Sequence, residues 1–289
     1  MKFITAIYNK LHGTEYGGRL NRDRHYLYSL KCLAGMGVDI ICYTSSNDIQ
    51  DIEDYLALHN INNIQLKVFE LSDFEYHERI QEIKVINKDI YATDNVWEHR
   101  CVELMWLKLE WLHIESNQYP NEKILWIDAG ISHGGIIPKK YNSDPDSTDY
   151  EQSFQHTKAF NCQLVDALDK LTDNNKIFTF YCRNRQHQYP SLYEGETLLG
   201  GSVAAGLFGG SHDAIESLYE KYRNVVSFIL ENTALLQEEL IMTLIYQKYP
   251  DLFNSYDFET WYHEDWDCYN RDLISFSKFF DDVSANELL

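Results

Sequence analysis

The chain has 289 residues, 44% hydrophobic and 24% charged, with 14 Gly and 5 Pro, which is the composition of a folded globular protein and excludes disordered, collagen-like and proline-rich chains. Lys and Arg total 25 against 45 Asp and Glu, a formal charge of −20, which excludes a surface that grips nucleic acid over its whole extent, although a local basic cleft stays open. The six cysteines (Cys32, Cys42, Cys101, Cys162, Cys182 and Cys268) contain no C-x-x-C pair, so reduced thiols in a cytosol are expected in place of a zinc ribbon or disulfide framework.

The opening MKFITAIYNK turns polar after seven residues, too few for a signal peptide, and no run of 18 apolar residues occurs; a cytoplasmic protein without a membrane span is expected. Residues 2–8 (KFITAIY) are β-branched and apolar and predict a first strand. A polar, glycine-bearing loop over 9–20 follows, and a basic cluster of Arg19, Arg22, Arg24 and His25 comes after the first strand. Tyr26, Leu27, Leu30 and Leu33 predict a helix over 23–34, closed by Gly35 and Gly37. A strand over 38–44, a helix starting near Ser46–Asp48 and a strand over 64–69 come next. This β-α-β-α-β succession predicts right-handed crossovers and a largely parallel sheet. A helix over 96–115 with Val102, Met105, Leu109 and Leu112 on one side precedes a strand over 123–128, placed in the same sheet as 2–8. Residues 139–152 read as loop, 155–171 as helix, 176–181 as strand and 183–193 as polar loop. Residues 198–210 are glycine-rich with a short β-like core; helices near 211–231 and 234–248 follow, and the tail from 251 is aromatic and acidic. One α/β domain with a C-terminal elaboration accounts for this order.

Five segments carry candidate chemistry. Asp128 ends the strand I-L-W-I-D, where open α/β sheets hold ligands; it either reaches a metal or sugar or caps the next turn. The run L-L-G-G-S-V-A-A-G-L-F-G-G-S (198–211) lets backbone approach a ligand closely, or forms a tightly packed bulged hairpin. It matches neither the dinucleotide nor the P-loop glycine pattern. The arginines at 19, 22 and 24 match a diphosphate, since guanidinium binds phosphate bidentately, or pair with acidic neighbours. Gln237-Glu238-Glu239 opens a helical stretch, either pointing one carboxylate into a cleft or complementing the helix dipole. W-Y-H-E-D-W (261–266) combines His263 with aromatics, as a metal-bound sugar nucleotide would require or as an apolar tail contact would.

Taken in order, these segments resemble a glycosyltransferase of the GT-A type, and more narrowly the bacterial HtrL/WlaTC-type family. The opening T-A-I-Y strand, an early G-R, the I-D-A-G strand end and the G-G-S-x-x-x-G-L-F-G-G segment carry the likeness, over about residues 2–270. The resemblance implies a GT-A-like α/β fold, with a nucleotide-binding part of about 1–130 and an acceptor part of about 131–289. It implies a nucleotide-sugar donor, a UDP-sugar, and a divalent cation, Mn²⁺ or Mg²⁺. Donor-binding residues would be Ala6, Tyr8, Asn9, Arg19, Arg22, Lys108, Asp128 and Gly130. The sugar and acceptor pocket would be Gly201, Ser202, Gly206, Phe208 and Gly209. The D-x-D metal motif reads Asp128-Ala129-Gly130 here, so His263 becomes the second expected metal ligand beside Asp128. Asp128, with Glu239 or Glu238, would be catalytic. The implied acceptor is a bacterial surface glycan. A second acceptor is modified DNA, as in the phage transferases that act on glucosylated hydroxymethylcytosine in the host cytoplasm; Arg183, Arg185, His187, Lys139 and Lys140 would then form the contact strip. A third reading is a non-catalytic carbohydrate- or nucleotide-binding protein that kept the fold.

Overall fold

The structure is a computed structural model that describes residues 1–8, 26–27, 30–31, 33–35, 37–87, 102–129, 163–172, 175–183 and 201–258. They form two compact units, one drawn from Met1–Phe69 and Leu125–Asp173, the other from Glu70–Ile124 and Asn174–Glu259.

The first unit is an open α/β sheet. Its strands are β1 (Lys2–Ile7), β2 (Asp39–Thr44), β3 (Ile64–Val68) and β4 (Ile124–Ile127), in the order β3-β2-β1-β4. β1 and β2 pair in parallel from Lys2↔Asp39 to Ile7↔Thr44, and β2 and β3 from Ile40↔Ile64 to Thr44↔Val68, with no break in either ladder. The two inner strands are buried on both faces, as Phe3, Ile4, Thr5, Ile40, Ile41 and Cys42 show; this is why they read as near-continuous apolar runs. Helix α1 (Ile49–Leu58) turns Ile52 and Leu56 onto a core with Ile7, Leu30, Cys42 and Ala129. The described residues of 26–34 are helical, as are 163–171. The four strands expected from the sequence are present, each trimmed by a residue at one or both ends, and β1 and β4 are neighbours.

The second unit holds α2 (His77–Ile86), α3 (Val102–Gln118), β5 (Ile177–Cys182), β6 (Ser202–Gly210), α4 (His212–Glu231), α5 (Glu238–Lys248) and β7 (Phe253–Phe258). Its strands run β6-β5-β7. β5 and β7 are parallel, whereas β5 and β6 are antiparallel, so the parallel expectation fails at that pair. Helix α4 starts at an N-cap, Ser211, whose side chain accepts from the Ala214 N–H, and buries Ile215, Leu218, Tyr222, Val226 and Ile229 as one stripe. Helix α3 is buried nearly all round, including Trp106 and Trp111, and not along a single side as its spacing predicted. Trp106 Nε1 donates to the Leu236 carbonyl (2.8 Å) and Tyr222 Oη donates to the Trp106 carbonyl (3.2 Å). Helix α5 begins at Glu238, later than expected, and α2 and β7 have no counterpart among the expected elements. Among the described residues, no helix is long and apolar enough to cross a membrane.

Candidate functional site

In the first unit, the chain leaving the carboxyl ends of the strands gathers polar side chains. Tyr8 follows β1 and is buried; its hydroxyl donates to the Phe69 carbonyl just past β3 at 2.7 Å. The Phe69 N–H donates in turn to the Thr44 carbonyl at the end of β2 (2.9 Å). After β2, the buried pair Ser45 and Asp48 is joined by a 2.8 Å hydrogen bond from Ser45 Oγ to Asp48 Oδ2. At the end of β4, Trp126 Nε1 donates to Oδ1 of Asp128, the residue that follows the strand, at 2.7 Å. Residues 126 and 128 are two apart along the chain, which lets the indole hold the carboxylate beside it. Ala6 lies opposite Tyr43 on β1 and is partly exposed. Ser45 and Asp48 were not singled out from the sequence, because S-S-N-D before an apolar helix reads as a helix start.

In the second unit, the glycine-rich segment is a long strand with a bulge. Phe180 pairs with Ala204 but Phe178 pairs with Gly209, so residues 205–208 stand opposite Thr179 alone. Thr179 Oγ1 is buried with no hydrogen-bond partner among the described residues. Residues two apart in a strand direct N–H and C=O to one edge. At Val203 and Ala205 all four of these groups meet side chains. The Val203 N–H donates to Thr243 Oγ1 (2.9 Å) and its carbonyl accepts from Ser202 Oγ (3.1 Å). The Ala205 N–H donates to Glu239 Oε1 (3.3 Å) and its carbonyl accepts from Lys108 Nζ (3.3 Å). Lys108 Nζ also pairs with Glu238 Oε1 at 2.6 Å, with the two side chains only 11% and 6% exposed.

Of the expected sugar-pocket residues, Gly201, Ser202, Phe208 and Gly209 are buried, and Gly206 alone within β6 is partly exposed. A Cβ at Gly201 would overlap the Tyr181 hydroxyl, so glycine is required for this close approach. The Tyr181 ring stacks on Tyr246 with centroids 4.5 Å apart. Arg183, the one described member of the expected basic strip, is paired with Asp257 (2.8 Å). Asn9, Arg19, Arg22, Arg24, Gly130, Lys139, Lys140, Arg185, His187 and His263 lie outside the described residues. Asp128 belongs to the first unit, and Lys108, Glu238 and Glu239 to the second.

Two further polar clusters in the second unit escaped sequence reasoning. The buried Glu103 carboxylate accepts from Gln81 Nε2 (3.1 Å) and Lys84 Nζ (3.1 Å) and contacts His77 Nδ1 at 2.6 Å. His77, Gln81 and Lys84 fall at i, i+4 and i+7, one face of α2, so this carboxylate docks that helix on the start of α3. Between α3 and α4, His113 stacks on Tyr219 (3.9 Å) and contacts Glu216 (2.6 Å), while the Tyr219 hydroxyl donates to Glu110. Burial pushes the Glu110 carboxyl above its usual range, partly offset by the Tyr219 hydrogen bond. Among the described residues, no group of three or more His, Cys, Asp or Glu side chains could hold a metal ion.

No family model matches the chain, and no curated protein matches it. Among solved structures, it is similar to a 4-diphosphocytidyl-2C-methyl-D-erythritol synthase from Anaerococcus prevotii, at 12% identity and a TM-score of 0.39, over 100% of this chain and 97% of that one. It is also similar to a structure described as a glucose-1-phosphate thymidylyltransferase from Bacillus anthracis in complex with sucrose, at 10% identity and a TM-score of 0.37, over 90% of this chain and 87% of that one. At this level of superposition neither likeness bears on activity, and what the chain does is read from its residues.

Proposed function

We propose that the chain is a glycosyltransferase, a hexosyltransferase that moves a sugar from a UDP-sugar to a hydroxyl group of a glycan. One observation carries this reading: strand order in the first unit runs β3-β2-β1-β4, so its direction reverses between β1 and β4, and Asp128 follows β4 directly. Ligands of open α/β sheets bind beyond the carboxyl ends of strands at such a reversal. Tyr8, fixed by its bond to Phe69, and Ala6 would form the wall of the donor pocket on the β1 side, with Asn9 beside them. Arg19 and Arg22 would pair with the diphosphate.

The donor set fits a divalent cation only in part. A single carboxylate, Asp128, is a sufficient protein anchor for Mg²⁺ or Mn²⁺ when substrate phosphates complete the shell, and His263 is the second proposed ligand. When bound, the cation would act as a Lewis acid on the leaving diphosphate. The transfer itself forms a bond from the acceptor oxygen to the anomeric carbon and breaks the bond from that carbon to the diphosphate; the bonding pair leaves on the diphosphate oxygen, and the acceptor's proton passes to the departing diphosphate or to water. A glycan acceptor is favoured over DNA by the charge of −20 and by the pairing of Arg183 with Asp257.

The test is a thermal-shift screen across nucleotide sugars with Mn²⁺ and Mg²⁺, followed by transfer assays on glycans and on hydroxymethylated DNA. UDP-sugars should raise the melting temperature of the wild type, and Asp128→Asn should abolish both that shift and turnover. Full turnover in Asp128→Asn would overturn the assignment. Transfer to DNA that falls steeply with salt would move the acceptor to nucleic acid, and ligand binding without any turnover would leave a carbohydrate- or nucleotide-binding protein.

A further inference from the structure

The edge of β6 at Val203–Ala205 is completed by side chains, and the match is geometric. Residues four apart on a helix rise about 6 Å, and residues two apart on a strand about 6.7 Å. Glu239 and Thr243 are four apart on α5, and they accept from the amides of Ala205 and Val203, two apart on β6. Thr243 is held in turn by donating its hydroxyl to the Glu239 carbonyl (2.6 Å). On the opposite polarity, Lys108 from α3 donates to the Ala205 carbonyl, and its own charge is balanced by Glu238. Ala205, the first residue of the bulge, is therefore gripped at both its N–H and its C=O by two elements. Gly206, the residue that this grip sets, is the part of β6 that reaches the surface.

We infer that Lys108, Glu239 and Thr243 are positioning residues that fix the bulged Ala205–Gly206 segment as a wall for an acceptor sugar on the second unit, with Glu239 serving as a hydrogen-bond acceptor and not as the group that takes the acceptor's proton. The part of this inference that concerns sugar rests on the glycosyltransferase reading above; the grip on β6 does not. Glutamine keeps a carbonyl oxygen at the same reach, so it can accept the Ala205 N–H as glutamate does but cannot take up a proton at neutral pH.

The experiment compares Glu239→Ala, Glu239→Gln and Thr243→Val with the wild type by amide hydrogen exchange at Val203 and Ala205 and by transfer kinetics against pH. In Glu239→Ala, Ala205 exchange should quicken about tenfold for the lost hydrogen bond, and kcat/KM for the acceptor should fall as much as about 100-fold, the cost of a misplaced wall. Glu239→Gln should restore Ala205 protection and most of the rate, with the acidic limb of the pH profile unchanged. Thr243→Val should quicken Val203 exchange and raise KM without altering that limb. Ala205 exchange that is indifferent to Glu239→Ala would overturn the inference. So would a Glu239→Gln variant that keeps Ala205 protected yet loses rate and acidic limb together, because the carboxylate would then be taking a proton. If the wild type transfers no sugar, the glycosyltransferase reading fails, and the exchange rates of the three variants still decide whether the grip exists.

Discussion

The two units complete their strands by different means. In the first, β1, β2 and β3 answer one another through unbroken parallel ladders of main-chain bonds. In the second, the ladder between β5 and β6 slips by several residues, and the buried N–H and C=O groups of Val203 and Ala205 are met by a lysine, a glutamate, a threonine and a serine. A ladder distributes its stability over many main-chain bonds, so no one side chain decides it. A side-chain cap concentrates the same task in a few groups, and two of them, Lys108 and Glu239, are charged residues only partly open to solvent. The difference teaches where single substitutions should be felt, and it sets an order of expected effects.

The largest effect should come from Lys108→Met. It leaves Glu238 buried without its 2.6 Å partner, and removing one member of a buried pair costs about 3–5 kcal/mol. Adding Glu238→Gln to the same chain removes the stranded charge and should recover most of that loss. Urea unfolding of both variants checks this. A single variant as stable as the wild type would mean that β6 does not depend on this pair, and the contrast between the units would disappear.

A smaller effect is expected at Gly201→Ala. The added methyl overlaps the Tyr181 hydroxyl, and relieving the overlap moves Tyr181 off Tyr246. Overpacking of this kind costs about 1–3 kcal/mol. The melting temperature should drop and the near-ultraviolet tyrosine signal should change together. A drop without the spectral change would place the strain elsewhere.

Smaller still is a pH effect from Glu110, which tests whether helix contacts in the second unit also lean on titrating groups. Burial raises its pKa above the ordinary carboxylate value, and Tyr219, Glu75, His113 and Arg223 are the charged or titratable groups around it. The folded protein therefore holds this proton more tightly than the unfolded chain does. Its contribution to stability is complete below the ordinary carboxylate pKa and is lost as pH rises through the raised folded value. Glu110→Gln keeps an acceptor for the Tyr219 hydroxyl and should remove that loss, so the variant should gain on the wild type as pH rises from about 4 to about 7. Parallel melting curves for the two proteins across that range would show that the raised value is absent.

The same contrast explains what could be read from the sequence. The four strands of the first unit were legible because burial on both faces writes itself as apolar runs such as FITAI and IICYT. Asp128 was legible for a related reason, since a carboxylate that closes such a run can only lie at a strand end. Helix α2 was not legible: HERIQEIKVI buries only Ile80 and Ile83, and what docks it is the grip of His77, Gln81 and Lys84 on Glu103, a residue of another helix. Nor was β7, because FNSYDF alternates weakly and sits in a segment rich in aromatics and acids. Glu238 and Glu239 were legible as an acidic helix start, but their partners were not. Lys108 is about 130 positions away in the chain, and only the fold brings it to Glu238 and to Ala205, the residue that Glu239 also holds. Spacing along the chain carries periodic burial well and long-range pairing of polar groups not at all.

The smallest effect should come from Lys2→Met in the first unit, and it supplies the control for the largest. Lys2 Nζ donates to Asp39 Oδ2 at 2.8 Å, a distance close to that of the Lys108–Glu238 pair, but the Asp39 side chain is 71% exposed. The hydrogen bond from Lys2, and then its charge, hold the Asp39 carboxyl below its usual value. Stability from this group is therefore present above the ordinary aspartate pKa and is lost as pH falls through the lowered folded value. Solvent screening limits an exposed pair of this kind to less than about 1 kcal/mol. The register of β1 against β2 does not rest on it, because Phe3↔Ile40 through Ile7↔Thr44 remain paired without it. Lys2→Met keeps most of the aliphatic stem over the end of the sheet, so packing loss should be slight. Unfolding at neutral pH should shift little, and the shift should vanish in about 1 M salt, where the screening length is near 3 Å. The Lys108→Met deficit should persist in the same salt, because that pair is largely shielded from water and ions. Equal costs for the two lysine variants, or equal sensitivity to salt, would show that the charged cap on β6 is no more critical than an ordinary surface pair.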